Sequence, residues 1–298
     1  MMQSFTARLQ DPRPILLDGA TGTELNRLGA NTGLPLWSAN VLLEAPHIIK
    51  QVHRDYLSAG AEVLTTNTFR THRRSLERAG FGSRAKELTS MAVHIAKEAA
   101  GEQAASGGGT AWVAGSVAPL EDCYSPDLVP PQKECIEEHA EMVTSLFQAG
   151  ADLILIETMN TVREAEAASA AARDCGLPFI VSFVLRTDGK LFSGEGLSEA
   201  VDRISPYGPV MLGVNCTPTT MISASLKELD HLTPLPVCGY GNIGHTDEIT
   251  GWDNTDDVSP DEYANIVQFW TTLKLGMLGG CCGTGPDHIA ALHELLGR

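Results

Sequence analysis

Two adjacent cysteines framed by glycines, Cys281 and Cys282 in GGCCG, and a third, Cys216 in NCTP, are the residues of this chain best suited to chemistry. Three protein thiolates with one position left open form the donor set of a catalytic zinc, whereas a structural zinc normally closes with a fourth Cys or His. Adjacent cysteines rarely bridge one another, because a disulfide demands a particular geometry, and the glycines on both sides let the backbone bend so that two consecutive sulfurs reach one ion. The competing reading is that a buried cysteine is only a small apolar residue. That reading suits Cys123, Cys135, Cys175 and Cys238, which have no such frame. A redox role for the pair would call for a C-x-x-C spacing, which the sequence does not have.

Three thiols so far apart in sequence need a scaffold that brings them to one place. Residues 15–19, 62–69, 111–119, 153–160, 178–185, 210–218, 236–242 and 277–283 are short apolar runs that read as buried strands. Between them lie stretches of helical period at 45–60, 138–150, 164–176 and 260–276, several closing on a glycine. Eight alternating units, with neither a GxGxxG turn nor a P-loop after the first strand, point to an α/β fold of the (β/α)8 TIM-barrel type. The Gly/Ala/Ser stretch 101–110 reads as a flexible surface turn, and residues 1–298 as one domain. In such a barrel the loops that follow the strands share the C-terminal face, where Cys216, Cys281 and Cys282 would meet.

Composition narrows the function further. Of the 298 residues 43% are hydrophobic and 19% charged, enough to bury a large core. The net charge of -16 argues against nucleic acid and against an anionic membrane surface, leaving small molecules as the expected partners. No apolar run approaches the roughly 18 residues of a membrane span, and no secretory signal opens the chain, so a cytoplasmic protein with free or metal-bound thiols is expected.

In order along the chain, DGATGTEL (18–25), GAEVLTTNTF (60–69), GSVAP (115–119), ADLILIET (151–158), GVNCTP (213–218) and GGCCGTGPDHI (279–289) match recurrent blocks of one family. Over its whole length the sequence resembles the homocysteine S-methyltransferases. The resemblance implies a Zn2+ held by Cys216, Cys281 and Cys282, with the acceptor thiol of homocysteine in the open position. A free thiol has a pKa near 8.5 and loses its proton on a metal at neutral pH.

It also implies that Glu157 receives the acceptor's ammonium and that Asp18 with Gly19 contacts the same amino-acid group. Asn67 and Thr68 are candidates for further polar contacts. Asp18 could instead cap the next helix, and Glu157 could pair with a neighbouring barrel residue.

Methyl donors differ within the family: a sulfonium such as S-methylmethionine or S-adenosylmethionine, glycine betaine, or a methylated corrinoid. The sequence ends soon after the cysteine pair, without the extension of betaine-using relatives. Thr158, Met159 and Arg70 stand near the points where those relatives carry tyrosines. Trp37 falls where the family has a tryptophan close to the donor, and an indole face attracts an onium methyl. A sulfonium donor, S-methylmethionine ahead of S-adenosylmethionine, is therefore expected.

After the seventh strand the family's usual segment is replaced by an acidic one, in which His245, Asp247 and Trp252 could form a lid or reshape the donor pocket. Other readings are a betaine- or corrinoid-dependent thiol or selenol methyltransferase, and a zinc-binding barrel without turnover.

Overall fold

A computed structural model describes residues 4–244 and 258–298. His245, Asp247 and Trp252 lie outside the described residues. Eight strands form one parallel sheet: β1 (Ile15–Leu16), β2 (Val63–Thr65), β3 (Trp112–Val117), β4 (Leu153–Met159), β5 (Phe179–Phe183), β6 (Met211–Pro218), β7 (Val237–Asn242) and β8 (Leu275–Gly280). The ring runs from β2 in sequence order to β8, which pairs with β1 through Ile15 and Met277. Between β1 and β2 it is closed by a bridge of Leu17 with Val63, where the Asp18 N–H donates to the Val63 carbonyl at 3.0 Å. The result is the expected (β/α)8 barrel.

Alternate side chains of each strand point inward. Leu153 and Leu155 of β4, with Ala114, Ile180, Met211, Cys238 and Met277, form the interior cluster, closed from below by Phe5, whose ring meets Trp112 edge-on at 6.0 Å. Ile154, Ile156, Val113 and Leu212 point outward into the larger cluster under the helices. The same period continued toward the C-terminal ends of the strands places Ser116, Glu157, Ser182 and Asn215 inward, so the interior turns from apolar to polar at that face. At the opposite end Glu62 is clasped by Arg8, with Nε at 2.8 Å, and by Arg298.

Several boundaries differ from the sequence reading, each for a local reason. The first strand, expected over 15–19, is ladder-paired only at Ile15–Leu16, because residues beyond the Leu17 bridge already turn into the helix Thr21–Arg27. The stretch 101–110 is not all turn. The helix Ala85–Ala105 runs through its first half, since Glu102, Gln103, Ala104 and Ala105 are good helix formers, and only the glycines beyond break it. The helix expected over 260–276 stops at Val267, passes into a 3-10 segment Gln268–Thr272, and yields Leu275 and Gly276 to β8. The last strand therefore starts earlier than residue 277 and ends at Gly280, leaving both cysteines just past it. No helix among the described residues is long and apolar enough to cross a membrane.

Candidate metal and substrate site

Cys216 ends the inward sweep of β6, and Cys281 and Cys282 follow β8. Their sulfurs lie within 4.8 Å of one another, close enough to share one metal ion. The pair is held by backbone. Cys281 N–H donates to the Gly241 carbonyl at 2.8 Å, and the Cys282 carbonyl accepts from Ile243 N–H at 2.9 Å, so β7 guides the chain beyond the end of β8. Gly283 then turns with φ +86, and any Cβ there would come within 2.1 Å of the Ile243 carbonyl, so only glycine permits the bend that returns Cys282 to the cluster.

Among the described residues only Trp37, Thr158 and Cys216 adopt positive φ without being glycine, at 48, 60 and 51 degrees. All three line one cavity, and strain of this kind collects where a site over-determines the backbone. Thr158 and Cys216 fall where the β4–β5 and β6–β7 ladders shift register. Asn215 ties the two irregularities together. Its Oδ1 accepts from Thr158 N–H and its Nδ2 donates to the Thr158 hydroxyl, both at 2.8 Å. The strand end that presents Glu157 and the one that presents Cys216 are thus fixed to each other.

The cavity has a volume of about 870 Å³ and opens at the C-terminal face. Its floor carries the three thiols, Glu157 and Asp18. Glu157 accepts from the Ser116 hydroxyl, with Asn215 Nδ2 at 3.5 Å. Asp18 accepts from the Thr65 N–H at 2.7 Å and the Thr65 hydroxyl at 2.8 Å. Neither carboxylate has a cation beside it among the described residues. Burial therefore pushes Glu157 up to about 8, with the Ser116 hydrogen bond opposing and Cys216 and Asp18 adding repulsion. Burial likewise raises Asp18 to about 7 against its two Thr65 donors.

Of the thiols, Cys216 is held well below its ordinary range by donation from Cys281, Cys282 and, at 3.3 Å, the Tyr124 hydroxyl. Their hydrogen bonds to Cys216, with burial and the charge on Cys216 adding to them, in turn raise Cys281 and Cys282. Three sulfurs this close cannot all ionise without a cation among them.

The outer wall is aromatic. Trp37 meets Phe69 edge-on at 5.9 Å, and Tyr124 meets Phe192 at 5.4 Å. The indole lies against the helix Thr21–Arg27 at Gly22, where a Cβ would come within 2.4 Å of the ring.

Cys216, Cys281, Cys282, Asp18, Gly19, Asn67, Glu157 and Trp37 all line the cavity. Asp18 does not cap the following helix, whose N-cap Ala20 has no side-chain hydrogen bond, because its carboxylate is spent on Thr65. Asn67 points its amide at the Ser38 carbonyl, 2.9 Å away, bracing the Trp37 loop. Thr68 differs from the expectation of a cavity contact. It lies fully buried behind the wall, donating to the Ser116 carbonyl at 2.8 Å, because the turn after β2 directs its hydroxyl toward β3. Ser116, Asn215, Thr65 and Tyr124 support the site as well, beyond the residues to which the sequence points. The first two carry the signal of a polar residue on the inward period of an apolar strand, whereas nothing in the sequence around Tyr124 marks it. Cys238 sits in the apolar interior under the site.

Comparison with known proteins agrees along the whole barrel. The homocysteine S-methyltransferase of Escherichia coli is 34% identical, the match covering 93% of this chain and 94% of that one. A selenocysteine Se-methyltransferase of Brassica oleracea is 30% identical over 94% of this chain and 88% of its own. The crystal structure of the homocysteine methyltransferase MmuM from Escherichia coli, in a metallated form, superposes with a TM-score of 0.85 at 32% identity, covering 97% of this chain and 98% of that one. The family model described as homocysteine S-methyltransferase matches residues 15–296, and with these relatives it establishes that the chain belongs to the homocysteine S-methyltransferase family.

Proposed function

We propose that this protein transfers a methyl group from a sulfonium donor, S-methylmethionine in first place, to the thiol of L-homocysteine, with Zn2+ held by Cys216, Cys281 and Cys282. The observation that carries the reading is the cluster of three sulfurs within 4.8 Å at the mouth of the barrel. The donor set fits the ion. Three soft sulfur ligands, with no fourth Cys or His in the cluster among the described residues, match an open zinc site rather than a closed structural one. Bound there, Zn2+ would lower the pKa of an added thiol and so supply a thiolate at neutral pH.

The chain's own residues do the rest. Glu157 and Asp18, two buried carboxyls without a cation, take the ammonium of the acceptor, and its charge draws both back toward the ionised form. Ser116, Asn215 and Thr65 fix the two carboxyl groups so that little reorganises on binding. Trp37 offers its face to the donor's positive charge. The acceptor sulfur's lone pair forms the new bond to carbon as the donor's S–CH3 bond breaks, its electron pair staying on the donor sulfur. Two neutral thioethers leave, and the acceptor's proton goes to solvent.

A selenol acceptor is a second reading, supported by the likeness to a selenocysteine Se-methyltransferase. Mass spectrometry of products from L-homocysteine and S-methylmethionine, with zinc-loaded protein beside Cys281→Ala, tests the first reading. Methionine formed by the parent and not by the variant is expected. Faster turnover of selenocysteine in direct competition would favour the second, and turnover with betaine but no sulfonium would overturn the donor class.

A further inference from the structure

One cation of the cavity wall has no carboxylate paired with it among the described residues. Arg70 lines the cavity just beyond Phe69, its guanidinium carbon 5.5 Å from the centre of that ring. Its Nη1 donates only to a backbone carbonyl, that of Glu121 at 3.2 Å, and its Nε is buried with no hydrogen-bond partner. The other guanidinium of this wall, Arg78, is engaged by the Glu121 carboxylate. Asp122, the carboxylate of the same wall, is occupied by the Tyr124 N–H and the Ser125 hydroxyl. A buried guanidinium N–H without an acceptor is costly and calls for an anion.

The floor of the cavity is acidic, with Asp18, Glu157 and the thiols, while Arg70 stands on the aromatic side, where Phe69 bridges it to Trp37. A ligand whose onium group lies on the Trp37 face therefore finds a fork-shaped carboxylate receptor beside it.

Building on the function proposed above, we infer that Arg70 anchors the carboxylate of the methyl donor, so that the site selects zwitterionic donors carrying an onium and a carboxylate over simple onium compounds. It is a specificity-determining residue and takes no part in bond making. Steady-state kinetics of the zinc-loaded protein, Arg70→Gln and Arg70→Lys test this, with each substrate varied in turn. The donors are S-methylmethionine and dimethyl(propyl)sulfonium, which keeps the sulfonium and lacks the carboxylate.

Arg70→Gln is expected to raise the KM for S-methylmethionine roughly 10- to 100-fold. The KM for homocysteine and turnover of the carboxylate-free donor should hold, so the preference between donors collapses. Arg70→Lys, which keeps the charge without the fork, falls between. Equal losses with both donors, or a rise in the homocysteine KM instead, would overturn the assignment, as would an unchanged variant. Should Arg70→Gln fail to fold by thermal melting, the donor ratio of Arg70→Lys carries the same decision. A wild-type protein that accepts neither sulfonium brings down the parent reading and this one with it, whereas an active wild type with an indifferent Arg70→Gln brings down only this one.

Discussion

At the N-terminal end of the barrel Glu62 meets two guanidinium groups, Arg8 and Arg298; at the C-terminal end Glu157 and Asp18 meet, among the described residues, only hydroxyl and amide donors. Burial would push Glu62 up, but its two arginines outweigh it and hold the carboxyl below its usual range. With no such partner, Glu157 and Asp18 rise to about 8 and about 7. On the proposed function, the same chemical group serves the fold where its countercharge is built in and serves ligand binding where the countercharge has to arrive from outside. An unpaired buried carboxyl in a cavity marks an intended ligand more sharply than the acidity of the surface does.

Removal of a proposed metal ligand should separate the two ends most widely. Cys281→Ala is expected to abolish metal retention and lose more activity than the roughly 10- to 100-fold that follows from disturbing a supporting group, while leaving the Glu62 cluster and the fold in place. Metal content by atomic emission beside circular dichroism would show it, and retention of a full metal equivalent would contradict the three-sulfur site. Next, Glu157→Gln should lower kcat/KM for homocysteine by roughly 30-fold or more, as expected when one partner of a buried charge pair is deleted. The loss should sit in the acceptor terms and not in the donor KM.

Glu62→Gln should do the reverse. We expect a loss of about 1–3 kcal/mol in stability, read by denaturant melts, with kinetic constants unchanged. An effect on KM there would erase the distinction between the two ends.

The contrast extends to the pH dependence of the ligand-free protein. Glu157 and Asp18 keep protons in the folded state that the unfolded chain releases near pH 4. Folding stability therefore falls as pH rises from about 4 toward 8. Glu62 runs the other way, adding stability above the usual carboxylate range that is lost as pH falls. Melting temperatures across this range should decline less steeply for Glu157→Gln than for the parent, and equal slopes would show that the two carboxyls titrate as ordinary surface groups.

The sequence carried the barrel and the floor of the site because both rest on short-range signals. Strand periodicity runs through Leu153, Leu155 and Glu157, and glycines flank Cys281 and Cys282. What it did not carry depends on partners distant in sequence. Asn215 looks like any residue of NCTP until its amide is seen to bridge Thr158 across two strands. Thr68 reads as a site residue from TTNTF, yet the turn after β2 aims it at Ser116. Tyr124 reaches Cys216 from a loop 92 positions away, a contact that no local pattern announces. Helix ends are hard to read where good helix formers abut a glycine run, as at 101–110, since the transition there is set by neighbouring propensities and not by the composition of the stretch.

The floor groups and the wall groups hang from different parts of the molecule. Cys216, Glu157 and Asp18 are set by strand ends locked together around the ring, whereas Trp37, Phe69, Arg70 and Tyr124 belong to the connections after β1, β2 and β3. Variation can accumulate in those connections while the nucleophile's seat stays rigid. On the proposed function, exchanging residues 34–38 and 69–78 would recruit a different donor without having to reinvent the means of presenting sulfur.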